Sequence, residues 1–110
     1  GDGAFLYNPV LQSLGASRDF DLPVIIVIFN NRKYASMQGM HLKMYPKGIA
    51  AETDVFYGTH INAPDFSKIA EAFGAYGERV DQPDQVQQAL QNALKANEEG
   101  RTAIIDIHVS

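Results

Sequence analysis

The run LPVIIVIF over positions 22–29 has none of the polar alternation of a half-exposed strand. An unbroken β-branched stretch of this kind predicts a strand buried on both faces of a parallel sheet, central in it, with helices above and below. Ahead of it, Asn8-Pro9 predicts a helix start, Asn8 as cap and Pro9 in the first helical position. Val10, Leu11 and Leu14 then form an apolar stripe that ends near Gly15. Further on, Pro64-Asp65 opens a helix whose Phe66, Ile69, Ala70 and Phe73 fall on one face and which stops at Gly74. Residues 76–80 predict a short strand and residues 81–83 a turn. A helix from about Asp84 carries Val86, Ala89, Leu90, Ala93 and Leu94 on its apolar face, and residues 102–109 form a last strand. Helices and strands in alternation predict an α/β fold, a parallel sheet with helices on both faces.

Residues 34–62 fit that alternation least well. They hold Met37, Met40, Met44, Tyr34, Tyr45, Tyr57, His41 and His60, with a turn at Pro46-Lys47-Gly48, and only their beginning reads as helical. A long irregular segment in an α/β domain marks a functional loop. There are no repeats or low-complexity tracts.

Composition narrows the class. The chain has 110 residues, 45% hydrophobic and 20% charged, which allows one modest core and one domain or part of one. A net charge of −4, with the basic residues scattered, argues against a nucleic-acid partner. Without cysteine there is no disulfide framework or thiolate chemistry. The longest apolar run is too short to span a bilayer or to act as a signal sequence, and the expected location is cytoplasmic.

Candidate chemistry sits at two places. Open α/β sheets bind ligands at the carboxyl ends of their strands. The run over 22–29 ends at Asn30-Asn31. Gly1-Asp2-Gly3 stands just ahead of a helix, so it would occupy an equivalent place if a strand preceded it. The two motifs would then face one crevice. An Asp carboxylate, an Asn oxygen and a backbone carbonyl are hard donors suited to magnesium, which completes its octahedron with phosphate oxygens and water. Glycines allow close backbone approach, and free amides at a helix start favour an anion. The combination reads as a diphosphate held through a metal.

Gly1-Asp2-Gly3 followed by Asn30-Asn31 resembles the signature of the thiamine diphosphate enzymes of the acetolactate synthase, pyruvate decarboxylase and benzoylformate decarboxylase superfamily. "NNRKYASM" resembles the start of the helix that follows that signature, and "PDFSKIAEAFGAYGERV" through "AIIDIHV" is similar to the C-terminal part of the same diphosphate-binding domain. Nearly the whole chain is covered, so residues 1–110 are expected to be the C-terminal portion of that domain. The spacing from Asp2 to Asn31 is a couple of residues longer than in many members, the extra length falling in "ASRDFD".

The resemblance implies roles by position. Asp2, the Asn31 side chain and the Lys33 carbonyl would bind Mg2+, and the amides of Gly3 and Ala4 would touch the diphosphate. Ala4 stands where many relatives carry a hydroxyl residue, which removes a side-chain bond to phosphate. Tyr34 would lie near the diphosphate, and Met37 and Met40 would line the substrate side, Met37 also against the cofactor. The implied chemistry is decarboxylation or carboligation of a 2-oxo acid through a cofactor ylide and enamine, a lyase or transferase activity. The activating glutamate belongs to a separate pyrimidine-binding domain. No position here matches it, since Glu52, Glu71, Glu78, Glu98 and Glu99 fall in a loop or on solvent faces. The chain would therefore carry no catalytic residue of its own and, alone, be inactive. Its partners would be thiamine diphosphate, the 2-oxo acid and the remainder of the enzyme, a homodimer or homotetramer when complete.

Two other readings compete. One is a noncatalytic phosphate- or nucleotide-binding α/β module, weakened by the lack of a GxGxxG or GxxxxGK[ST] loop. The other is a structural domain without cofactor, against which stand Asp2 and Asn31. Single residues also have plain readings: Asp2 as a turn residue, Asn30-Asn31 as a strand-end turn, His41 and His60 as exposed loop histidines. His108 reads as structural, and Arg32 and Lys33 as solvated charges.

Overall fold

A computed structural model describes residues 1–109. In chain order the elements are α1 (Asp2–Tyr7), α2 (Val10–Asp19), β1 (Ile25–Asn30), α3 (Ala35–Met44), α4 (Ile49–Thr53), α5 (Ser67–Ala72), β2 (Tyr76–Val80), a 3-10 turn (Pro83–Gln85), α6 (Val86–Glu98) and β3 (Ala103–His108). The strands form one parallel sheet in the order β1-β3-β2, so the α/β class is as expected. Register runs from Ile25 opposite Ala103 to Asn30 opposite His108 on one side of β3. On the other side it runs from Tyr76 opposite Ala103 to Val80 opposite Ile107.

Among the described residues the centre of the sheet is not where the apolar run predicts it. β3 is the middle strand and is buried almost throughout, whereas β1 lies at one edge, begins at Ile25 and leaves Phe29 59% exposed. An apolar run reports that a strand has apolar neighbours on its faces, and says nothing of whether a strand pairs with each of its edges.

Two apolar layers enclose the sheet. On one face Ala103, Ile105 and Ile107 of β3 and Val80 of β2 pack against Ala89, Ala93 and Ala96 of α6. On the other, Ile104 and Ile28 pack with Leu14 of α2 and with Phe66 and Ala70 at α5, Phe5 of α1 closing the edge. The alternation of β3 between these layers follows the two-residue period of a strand. Alanines along α6 let that helix sit close, and Leu90 and Leu94, expected on its apolar face, point outward instead. The helix starts at Val86 after the 3-10 turn, where Gln82 and Gln85 cap each other reciprocally, the Gln82 amide donating to Gln85 Oε1 at 3.1 Å.

Near the start of the chain the element boundaries differ from expectation. Asp2 and Gly3 belong to the first turn of a short helix, α1, rather than to a loop ahead of one. Asn8 closes that helix by donating through Nδ2 to the Ala4 carbonyl at 2.7 Å and does not cap the next. α2 continues through Gly15 to Asp19, because a lone glycine lowers helix stability without ending it. Leu11 faces solvent, leaving Leu14 as the buried residue of α2. The "ASRDFD" stretch is thus partly the last turns of α2. α5 and β2 lie as predicted. Asp65 Oδ1 accepts from the Ser67 amide at 3.0 Å to open α5, and Gly74, at φ +68°, ends it. The middle segment holds α3, as foreseen, and a second short helix, α4, which was not.

α5 lies so close over β2 that a Cβ on Gly77 would fall 1.9 Å from the Ser67 carbonyl oxygen. Gly77→Ala should therefore destabilise the protein by about 3 kcal/mol or more, since backbone must move to make room. Gly39→Ala, in α3 with nothing within 4 Å of the added Cβ, should be neutral or stabilise by up to about 1 kcal/mol. Urea unfolding of the two variants checks the contrast, and equal midpoints would contradict it.

Candidate functional site

The chain ends of three elements meet at the carboxyl edge of β1. Phe29 and Asn30 close the strand, and residues 31–34 turn the chain into α3, with Tyr34 as its N-cap residue. Two Asx-type bonds shape the turn. Asn30 Oδ1 accepts from the Arg32 amide at 3.1 Å, and Asn31 Oδ1 accepts from the Lys33 amide at 3.0 Å. Arg32 takes the left-handed conformation at φ +55° between them. The segment then runs antiparallel to residues 59–61. The Ile61 amide donates to the Arg32 carbonyl and the Tyr34 amide to the Thr59 carbonyl, both at 2.8 Å, with Lys33 opposite His60. Among the described residues the Lys33 carbonyl takes no backbone hydrogen bond.

The start of α1 lies against this turn. A Cβ on Gly1 would stand 3.8 Å from the Phe29 carbonyl oxygen, and one on Gly3 would meet the Tyr34 ring at 2.6 Å and 2.7 Å. Glycine at position 3 is what lets the aromatic ring rest on the helix backbone. The Tyr34 ring also packs on Tyr7, with centroids 5.6 Å apart. Desolvation pushes its phenol above the ordinary tyrosine value, Tyr7 and the charge on Asp2 adding to the rise. Asp2 itself is 3% exposed, and its Oδ2 has no hydrogen-bond partner. The amides of Asp2, Gly3 and Ala4 precede the first helical bond, which runs from the Phe5 amide to the Gly1 carbonyl.

Of the expected site residues, the structure thus brings Gly3 and Tyr34 into contact, with Asp2 buried beside them. Asn31, Lys33 and Tyr34 share the turn. Ala4 is exposed on α1. Met37 and Met40 lie further along α3, both largely exposed, and line one side of a cavity of about 480 Å³ together with Met44, Tyr45, Phe56 and Tyr57. His41 lines the same cavity and packs its ring on Tyr45 and Phe56, whereas His60 is an exposed residue opposite Lys33.

Sequence reasoning missed a buried polar group beneath the turn. Asp106, on β3, has no solvent exposure and accepts from Asn30 Nδ2 at 3.0 Å and from the Phe66 amide at 3.3 Å. His108 Nε2 lies 3.3 Å from its Oδ2, while His108 Nδ1 lies 3.2 Å from Arg32 Nη2 and 3.4 Å from Asp81 Oδ1. Arg32 is therefore more than a solvated charge, and His108 has the structural role expected of it. Asp81 is held below the usual carboxylate range by its hydrogen bonds from Arg79. The signal that could have flagged Asp106 is a lone acid inside the apolar stretch "AIIDIHV". Glu78 also departs from expectation, being half-buried on β2 and hydrogen-bonded to Tyr76 and Asn92.

No three His, Cys, Asp or Glu side chains cluster as a metal site among the described residues, nor is any helix there long and apolar enough to cross a membrane. One carboxylate, one amide oxygen and one main-chain carbonyl together would not form such a cluster.

Known proteins resemble the chain over most of its length. The chain is similar to a probable acetolactate synthase large subunit of Methanococcus aeolicus, 34% identical over 98 residues, covering 89% of this chain and 15% of that protein. It is 36% identical over 94 residues to an acetolactate synthase large subunit of Pyropia yezoensis, covering 86% and 15% of the two chains. It is 29% identical over 109 residues to the acetolactate synthase isozyme 3 large subunit of Escherichia coli (strain K12), covering 99% and 18%. The chain spans less than a fifth of the length of these relatives. The family model described as "Thiamine pyrophosphate enzyme, C-terminal TPP binding domain" matches residues 1–107, and the chain belongs to that family.

Proposed function

We propose that this chain holds the diphosphate end of thiamine diphosphate through a magnesium ion, as part of an enzyme that decarboxylates or ligates 2-oxo acids. The observation that carries the reading is Asp2, a buried carboxylate with one oxygen unpartnered. Burying such a charge without a partner costs several kcal/mol, and a bound divalent cation removes that cost. The donors available fit a hard cation: the Asp2 carboxylate, the Asn31 amide oxygen and the Lys33 carbonyl. The free amides of Gly3 and Ala4 suit a diphosphate oxygen. Family membership supplies the identity of the cofactor, and the names of the relatives, acetolactate synthase large subunits, favour the reaction class proposed.

When bound, thiamine diphosphate would supply the electron sink for negative charge that develops at the carbonyl carbon of the substrate. The residues of this chain hold and orient. Asn31 and Lys33 are fixed by the turn, and Gly3 keeps the backbone low beside Tyr34, whose ring packs on Tyr7. Met37 and Met40 give the neighbouring cavity an apolar wall suited to the carbon skeleton of a substrate. The glutamates of this chain are exposed or, at Glu78, engaged elsewhere, so proton transfer at the cofactor falls to the rest of the enzyme. A pyrimidine-binding domain, a homodimeric or homotetrameric assembly and a cytoplasmic location complete the reading.

Asp2→Ala in the complete enzyme should abolish Mg2+-dependent retention of the cofactor, because no neighbouring carboxylate can take its place. Gel filtration followed by cofactor assay measures it, and wild-type retention at limiting Mg2+ would overturn the metal assignment.

Gly3→Ala should displace the Tyr34 ring and cost about 1–3 kcal/mol. In a Tyr34→Ala background the same change should cost less than about 1 kcal/mol. Chemical denaturation of the four proteins reads the coupling, and additive losses would contradict it.

The chain by itself should show no turnover of a 2-oxo acid and bind thiamine diphosphate weakly, holding one end of the ligand only. With Tyr7, Phe20, Ile49 and Tyr57 exposed, it should also self-associate. Micromolar affinity by calorimetry, or measurable decarboxylation, would count against this division of labour.

A further inference from the structure

We propose that Asp106 is a positioning residue for the cation-binding turn, acting through the side chain of Asn30; the proposal rests on the metal reading above. Asp106 and Asn30 lie on the same face of the sheet, on adjacent strands, and Asn30 is 4% exposed. A carboxylate whose Oδ2 already faces the Phe66 amide offers only acceptors, so Asn30 must present its NH2 group to Oδ1. That leaves Asn30 Oδ1 pointing along the chain, where it takes the Arg32 amide. Were the Asn30 amide turned over, two acceptors would face each other at one end and two donors at the other. Asp106 thus sets the amide orientation of Asn30, and Asn30 sets the course of the chain at Arg32.

The consequence reaches the proposed ligands. Arg32 lies at φ +55°, a conformation disfavoured for a residue with a side chain, and the Asn30 bond to its amide helps to hold it there. With Arg32 so placed, its carbonyl receives the Ile61 amide, the Lys33 amide folds back onto Asn31 Oδ1, and the Lys33 carbonyl stays free. Arg32 also reaches back through Nη2 to His108, whose Nε2 touches Asp106, which closes a ring of four residues under the turn, Arg32 entering it through its main-chain amide as well as its side chain. Neither Asp106 nor Asn30 is among the proposed cation ligands. Their effect is to fix where Asn31 Oδ1 and the Lys33 carbonyl stand.

The bond can be reversed, which gives the test. Asp106→Asn and Asn30→Asp should each weaken Mg2+ binding, read by calorimetric titration of the complete apoenzyme at saturating thiamine diphosphate, by about 10–100-fold. In the double variant Asn30→Asp/Asp106→Asn the amide at 106 donates to the carboxylate at 30. The remaining oxygens still accept from Phe66 and Arg32, and net charge is unchanged. The Kd should return to within about threefold of wild type, a coupling that two independent losses do not give. Thermal unfolding of the apoenzymes separates packing from positioning. Single variants that lower Tm yet bind Mg2+ like wild type overturn the proposal, as does a double variant that binds no better than the singles or is not recovered folded. Asp2→Ala in the same titration separates the two layers of argument. Unchanged binding there removes the metal reading itself, whereas loss there with normal binding in the Asp106 and Asn30 variants removes only the positioning role.

Discussion

A carboxylate wholly shielded from water, Asp106, sits in the strand with which both other strands pair, and its hydrogen bonds decide where three elements end. Charge in such a place is tolerated only with full hydrogen bonding. Asn30 supplies one donor from the end of β1 and Phe66 another from the start of α5. Apolar contacts bring strands and helices together without fixing them along their axes, because dispersion and water exclusion have little direction. The polar contacts at Asp106 do have direction. They register the carboxyl end of β1, the entry to α5 and the chain through residues 31–34 against one point on β3.

Much of this architecture could be read from the sequence because its causes are local. β2, α5 and α6 follow from period, glycine stops and turn residues, each contained within a dozen positions. Asp2, Asn31 and Tyr34 could likewise be singled out from short motifs. What escaped depends on contacts between distant parts of the chain. Asp106 and Asn30 are 76 positions apart, so the lone acid in "AIIDIHV" marks a buried polar group without naming its partner. The place of β1 at an edge is of the same kind, since strand order is decided by pairing that no single segment encodes. The outward turn of Leu90 and Leu94 follows from the alanines of α6 meeting β3 closely, a property of two surfaces together.

Gly3 and Gly77 show one constraint at two depths. In each case the missing side chain admits a neighbour that any Cβ would exclude, the Tyr34 ring at one and the Ser67 carbonyl at the other. The first seats the Tyr34 ring on α1, next to the buried Asp2. The second lets α5 lie low enough for the Phe66 amide to reach Asp106. Close approach over β2 is therefore part of what organises the turn on the far side of β3.

The two sides of α3 follow from this arrangement. Its N-terminal end is tied down by the Tyr34 ring on Gly3 and by the bonds from Tyr34 and Gln38 to Thr59, at 2.8 Å and 2.7 Å. Beyond that anchor no residue of α3 is buried, and Met37, Met40 and Met44 face a cavity instead of a core. Unbranched thioether side chains adapt to what lies against them, whereas the β-branched residues of β3 specify one packing. Rigidity is thus concentrated at the turn that carries the Asn31 side chain and the Lys33 carbonyl. Adaptable surface begins one turn of helix away, along the methionines that line the cavity, and the boundary between the two is Tyr34.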